Sequence, residues 1–160
     1  MIEQADELKL AKEELRRMEE RLGLLIENSL DVILVLRADG IIHFSSPSVE
    51  RILGHKAPPL VKRSLFEFVE AHDLPKVLRA FNEAVENPGK TQPATFRFQH
   101  KDSSWRILES LMRNLLDRPV VEGVVLNLHD VTELTRAQEI VQKTADELAR
   151  SNQELEQFAY

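Results

Sequence analysis

The sequence predicts an α+β fold: two strands and then three antiparallel strands, with helices on one face of a sheet, carried between two long helices. Three observations predict it. Two strand patterns come first, a cluster of short helix patterns follows, and three more strand patterns close the central block. On either side of that block, apolar residues recur at alternating spacings of three and four, which marks a narrow helical seam. The chain therefore divides into an N-terminal helix over 1–27, a domain over 28–131 and a C-terminal helix over 132–160.

Residues 2–27 hold no proline, and their one glycine is Gly23. Leu8, Ala11, Leu15, Met18, Leu22 and Leu25 form an a/d seam of about three heptads, narrower than a globular helix needs, which favours a coiled coil. At Asn28-Ser29 the period becomes strand-like: Val32–Leu36, then Ala38-Asp39-Gly40, then Ile41–Phe44, with Asp-Gly as a hairpin signal. The first strand is apolar on both faces, and the end of the first helix, near Leu25 and Ile26, is expected to cover its outer side.

Ser46-Pro47-Ser48-Val49-Glu50 reads as a helix start capped by Ser46, closed by Gly54. Pro58-Pro59 is expected to prevent regular structure until a short helical turn at Leu65–Val69. His72-Asp73-Leu74-Pro75 then caps an amphipathic helix carrying Val77, Leu78, Phe81, Ala84 and Val85, which ends at Asn87-Pro88-Gly89. Strands are predicted at Ala94–His100, Trp105–Leu115 and Val120–Leu128.

From Thr132 onward there is neither glycine nor proline. Leu134, Ala137, Val141, Thr144, Leu148, Ser151, Leu155 and Phe158 form the second seam, with Ala, Thr, Ser and Phe at its d positions. Such layers pack weakly, so this rod, roughly 40 Å long if helical throughout, is expected to form a marginal coiled coil with more than one tolerable register.

Composition narrows the function. With 27 acidic against 21 basic side chains and a net charge of −6, nucleic acid and anionic membranes are poor partners. The absence of cysteine removes disulfides, thiolate metal sites and cysteinyl nucleophiles. The apolar runs are far too short for a membrane span and no signal peptide is evident, which points to the cytoplasm without direct membrane insertion.

Taken in order, Leu25-Ile26-Glu27-Asn28-Ser29 with Asp31, Asp39-Gly40, Ser46 through Gly54, His72-Asp73, Trp105 with Glu109, Asn114-Leu115-Leu116, Gly123 through Asn127, and Asp130-Val131-Thr132-Glu133 form a pattern that resembles a PAS domain over roughly 24–133. The resemblance implies a PAS fold, one five-stranded antiparallel sheet with a helical face enclosing a possible ligand pocket, and a role as sensor or dimerisation module rather than catalyst. A second resemblance runs from Leu148 to Tyr160, which looks like the segment leading to the phospho-accepting histidine of sensor histidine kinases. It implies a parallel homodimer that relays a signal to downstream kinase domains of a parent protein in two-component signalling. The alternative is a sensor for a small apolar ligand or cofactor, attached to another effector such as a diguanylate cyclase.

No catalytic set or metal spacing is found: His43, His55, His72, His100 and His129 are scattered. Some PAS domains hold haem through a histidine on the long helix, but His72 stands at that helix's solvated start. The light-sensing LOV branch needs a cysteine that is missing here and a glutamine where Leu128 stands. Neither haem nor flavin is expected. Strand alternation directs Val124, Leu126 and Leu128, and Phe96 and Phe98, toward Leu78, Phe81 and Val85, as a filled core or as the lining of an apolar pocket. His43, Ser45, Ser110 and Asn114 are expected in surface or capping roles.

The expected signalling element is Asp130, Val131, Thr132 and Glu133, where strand passes into helix without a loop. Asp130 or Thr132 can accept a hydrogen bond from the first helical turn, and Glu133 suits the positive end of the helix dipole. The resemblance puts Arg where His129 stands, so an ion pair made there becomes pH-dependent.

Overall fold

Alternation in the sequence becomes one sheet. The computed structural model describes residues 2–159, so the outermost residues of the two predicted rods, Met1 and Tyr160, lie outside the described residues. The elements run α1 (Ile2–Glu27), β1 (Val32–Leu36), β2 (Ile42–Ser45), α2 (Ser48–Leu53), α3 (Ala57–Leu60), a 3-10 turn (Leu65–Phe68), α4 (Leu74–Glu86), β3 (Thr91–Gln99), β4 (Trp105–Leu115), β5 (Gly123–Asp130) and α5 (Thr132–Ala159). The five strands are antiparallel in the order β2-β1-β5-β4-β3, so the first and last strands of the domain sit side by side.

One face of this sheet is apolar in register. Val32, Leu34 and Leu36 pair with Leu128, Leu126 and Val124, and Met112 and Leu108 continue the layer across β4 to Phe96 and Phe98 of β3. Val49, Leu53, Leu60, Leu65, Val77, Phe81 and Ala84 close over it from the helical side. Phe68 stacks on Phe98 at 5.1 Å, and Phe66 meets Phe81 edge-on at 5.5 Å, both within the usual range for aromatic pairs.

The helical segment also covers both sheet edges. Ile42 exchanges backbone hydrogen bonds with Lys62 and Arg63, and Glu70 donates its N–H to the Arg97 carbonyl, so neither β2 nor β3 is a bare edge. The β1–β2 turn is a three-residue loop in which Gly40 adopts φ 86°. A Cβ at Gly40 would stand 2.4 Å from the Phe66 ring, so both conformation and space require glycine there.

Several expectations are corrected. Pro58 and Pro59 do not exclude regular structure; they occupy the first turn of α3, where a missing N–H costs nothing. Ser46 does not cap α2. Its hydroxyl accepts the Ile33 N–H at 2.9 Å while Ser48 donates to the Asp31 carbonyl at 2.8 Å, so the two serines stitch α2 to the start of β1. Asp73 likewise leaves its helix amides uncapped and gives its carboxylate to Arg97. Leu78 is half-buried outside the core, because the helical phase of α4 turns Val77, Phe81 and Ala84 inward. β3 starts three residues early, through Pro93, which an edge strand tolerates; β5 spans Gly123–Asp130, so Val120 lies in the preceding turn. Finally, α1 buries no residue: of the two residues expected to cover β1, Leu25 is 61% exposed and Ile26 is only half-buried.

Candidate functional site

The end of β5 and the start of α5 are separated by one residue, Val131. Its N–H donates to the Ile107 carbonyl at 2.9 Å, and its own carbonyl accepts the Thr135 N–H at 2.8 Å, so one residue is hydrogen-bonded to the sheet and to the helix at once. Thr132 extends the ladder by a side chain: its hydroxyl oxygen accepts the Ile107 N–H at 2.7 Å. Ile107 therefore offers both backbone groups to the residues that begin the rod.

Asp130 locks this arrangement. Its Oδ1 accepts the Thr132 N–H at 2.9 Å and the Thr132 hydroxyl, and its Oδ2 accepts Arg106 Nε at 2.8 Å. Burial alone would raise the Asp130 carboxyl, but the hydrogen bonds from Thr132 and Arg106 outweigh it and hold the group below its ordinary range. Of the two predicted acceptors, Asp130 thus serves the helix amide and Thr132 serves β4. Glu133 is exposed in the first turn of α5, where its charge suits the helix dipole.

The same corner holds the end of α1. Arg51 of α2 donates to the Glu27 carbonyl at 3.1 Å and to the Ser29 carbonyl, satisfying acceptors that a helix terminus leaves free. Asp31 follows, and its Oδ1 lies 2.7 Å from His129 Nδ1, one residue before Asp130. At the foot of α5 lies a cleft of about 290 Å³ bordered by Leu30, Arg51, Arg106, Asp130, Glu133 and Leu134. Arg51, Arg106 and Ile107 carry no recognisable local signal; only the β4–β5 register, Leu108 opposite Asp130, brings Arg106 to the junction.

The other predicted residues fall in three places. Phe81, Phe96, Phe98, Val124, Leu126 and Leu128 are buried together, with Val85 half-buried against them. Both seams are exposed along their length: Leu8, Ala11, Leu15, Met18, Leu22 and Leu25 on α1, and Leu134, Ala137, Val141, Thr144, Leu148, Ser151, Leu155 and Phe158 on α5. Of the polar candidates, His43 is exposed on β2, whereas Ser45, Ser110 and Asn114 are buried. Asn114 donates to the Val85 carbonyl at 2.8 Å near the end of α4, a capping contact from a neighbouring strand. Ser110 is buried with no protein partner for its hydroxyl, contrary to the surface role expected of it.

His72 is exposed and faces Glu70, with Nδ1 2.9 Å from Oε1. Among the described residues no group of three or more metal-binding side chains gathers, and no helix is long and apolar enough to cross a membrane.

The chain is 31% identical over 87 residues to the White collar 2 protein of Neurospora crassa; the match takes in 54% of this chain but only 16% of that protein. Among solved structures it is similar to the PAS domain of an HTR-like protein from Haloarcula marismortui, with 25% identity and a TM-score of 0.61 over 76% of this chain and 98% of that one. It also superposes on a sensory box histidine kinase/response regulator structure from Burkholderia thailandensis, at 20% identity and a TM-score of 0.61, over 81% of this chain and 98% of that one. That likeness speaks to fold. The family model described as PAS fold matches residues 42–122, half of the chain, from β2 to the turn before β5. The chain belongs to the PAS-fold family.

Proposed function

We propose that this chain is a PAS sensory and dimerisation module that passes a signal through parallel coiled-coil helices to a histidine kinase downstream in the parent protein. The observation that carries the proposal is the junction itself: Val131 and Thr132 hydrogen-bond to Ile107 while they begin α5, so a shift of β4 against β5 reaches the rod directly. The exposed seam of α5 supplies the second half, because Leu134, Val141, Leu148 and Leu155 gain from a partner only if another helix covers them. In this mechanism the junction tilts or turns, and the weak Ala137, Thr144 and Ser151 layers let the paired rods exchange registers.

Two measurements test it. The purified chain should sediment at twice its 18.4 kDa mass, and a Ser151→Cys variant of this cysteine-free chain should form a same-residue disulfide, as a parallel pair requires. A monomer at every concentration would refute the dimer, and a dimer without that cross-link would refute the parallel arrangement. In a full-length parent, Asp130→Ala should alter basal kinase output or its response to signal; unchanged output would defeat the relay.

Ser110 favours a second reading, a ligand-binding sensor joined to a different effector. Its buried hydroxyl lies in the β4 register opposite Ala94 and Leu128, where it offers a polar anchor within apolar surroundings. Native mass spectrometry separates the two, since a retained small molecule would shift the dimer mass.

A further inference from the structure

Charge is distributed unevenly along this chain. Residues 28–131 contain thirteen acidic and thirteen basic side chains, so the whole net charge of −6 resides on the two helical rods. Within the balanced domain many cations are spoken for: Arg37 by Asp39, Arg97 by Glu70 and Asp73, Arg106 by Asp130. At one end of the domain basic groups gather, and among the described residues only Arg63 of them has a carboxylate partner, Glu67. His55, Lys56, Arg63 and Lys101 border a single cleft of about 190 Å³, floored by Pro59 and Leu60, and no carboxylate lines it.

Its walls are fixed by the fold. Lys101 donates its backbone N–H to the Leu53 carbonyl at 3.0 Å, which holds the β3–β4 turn against the end of α2. The approach is so close that a Cβ on Gly54 would stand 2.6 Å from the His100 ring and 2.9 Å from Lys101 Cβ. His55 rests edge-on against Phe68 and Phe98 at 5.0 and 6.0 Å and bonds through Nε2 to the Gln99 carbonyl at 2.9 Å, which makes Nε2 the donor. Its Nδ1 has no partner among the described residues.

Arg63 is similarly held in place. Its guanidinium lies 4.7 Å from the centre of the Phe68 ring, and Glu67 takes Nε at 3.0 Å and Nη2 at 2.9 Å. That leaves Nη1 free among the described residues, while the Lys56 and Lys101 ammonium groups form no ion pair there. The site thus combines two point charges with one positioned guanidinium donor, the chemistry that suits a compact, multiply charged oxyanion. At about 190 Å³ the cleft has room for a phosphate group.

We propose that this cleft binds a phosphate group, either free or as the monoester of a small metabolite. The site is separate from the core face and from the rod junction, and it does not depend on the relay mechanism. Occupation would draw the α2 end, Arg63 and the β3–β4 turn together around one anion. Because α2 also carries Arg51, which holds the end of α1, the site is one short helix away from the N-terminal rod.

The test is a titration of the full chain with inorganic phosphate and, separately, glycerol phosphate, at constant ionic strength made up with sodium chloride and followed by amide NMR. Saturable shifts confined to residues 54–63 and 100–104 are expected. The Lys56→Gln/Lys101→Gln variant should weaken binding by about tenfold or more while its unfolding midpoint stays unchanged, since both side chains are exposed. If that variant does not fold, Lys101→Gln alone should weaken binding in the same direction. Tighter binding of glycerol phosphate assigns the ester as the ligand class, and equal binding assigns phosphate itself. Shifts that fail to saturate, or a folded lysine variant that binds like the parent, would overturn the proposal.

Discussion

Removing the Asp130 carboxylate should loosen the base of the rod at a cost that the local geometry sets. Asp130→Ala deletes an acceptor for the Thr132 amide and hydroxyl and breaks the bond from Arg106 Nε. The lost amide acceptor is worth about 1 kcal/mol, as for a helix cap. The bond between charged partners is worth about 2 kcal/mol. That second figure needs little discount for solvent, because the Arg106 and Asp130 side chains are only 23% and 14% exposed. The total of about 3 kcal/mol should lower the melting temperature by roughly 10 °C in a chain of this size. Asp130→Asn keeps an oxygen for Thr132 and should lose about half as much.

The acid limb provides an independent check. The folded Asp130 carboxyl titrates below its ordinary value of 3.8, so its stabilising contribution is complete above that value and disappears as pH falls through the lower folded value. The gap in melting temperature between the parent and Asp130→Ala should therefore be full at pH 7 and narrow steadily below pH 3.8. Calorimetry over that range would measure it. A variant that melts with the parent at pH 7, or a gap that does not close in acid, would show that the junction is not held by this carboxylate.

Three further outcomes follow from other parts of the molecule. Asp73, drawn down to about 2 chiefly by its hydrogen bonds from Arg97, ties α4 to β3; because the Arg97 side chain is 44% exposed, Asp73→Asn should cost only about 1 kcal/mol at neutral pH in chemical denaturation, and the deficit should shrink between pH 3.8 and 2. Gly40→Ala should destabilise by about 2 kcal/mol or more, since it forces a side chain into φ 86° and against Phe66; a neutral result in urea unfolding would contradict the turn geometry. Replacing two weak layers together, Thr144→Leu/Ser151→Leu, should tighten dimerisation at least tenfold by sedimentation equilibrium and hold the rods in one register; unchanged association would place the interface elsewhere.

Much of the sheet was legible because alternation is written locally. Val32–Leu36 and Trp105–Leu115 have the predicted bounds, and α5 begins at Thr132 as its seam indicates. The misses share a physical cause. Ser46 and Asp73 occupy positions where a cap is expected, yet each gives its side chain to a strand distant in sequence, Ile33 in one case and Arg97 in the other. Propensity describes what a residue can do for its neighbours, whereas a partner 13 or 24 positions away can outbid them. Pro58-Pro59 misled for a different reason: a proline pair blocks the middle of a helix but not its first turn, and nothing in the sequence says which of these it occupies.

The junction itself was legible as a boundary with two polar acceptors, but not in its full set of partners. Asp130 and Thr132 were visible as polar residues at a change of period, but Arg106, Arg51 and the Asp31–His129 contact depend on strand order. Asp31 and His129 are 98 residues apart and meet because β1 pairs with β5. That pairing is what brings the departure point of one rod beside the arrival point of the other.

The two bonds to Ile107 have a mechanical consequence. Because Val131 and Thr132 both attach to β4, the base of α5 is hinged on the penultimate strand as well as on the strand it continues. The 28 residues of α5 then act as a lever arm of roughly 42 Å at 1.5 Å per residue. A turn of about 5° at Ile107 would move the far end by almost 4 Å, more than half the pitch of an α-helix. The length of α5 thus converts a small rotation at its base into a displacement of ångströms at its far end.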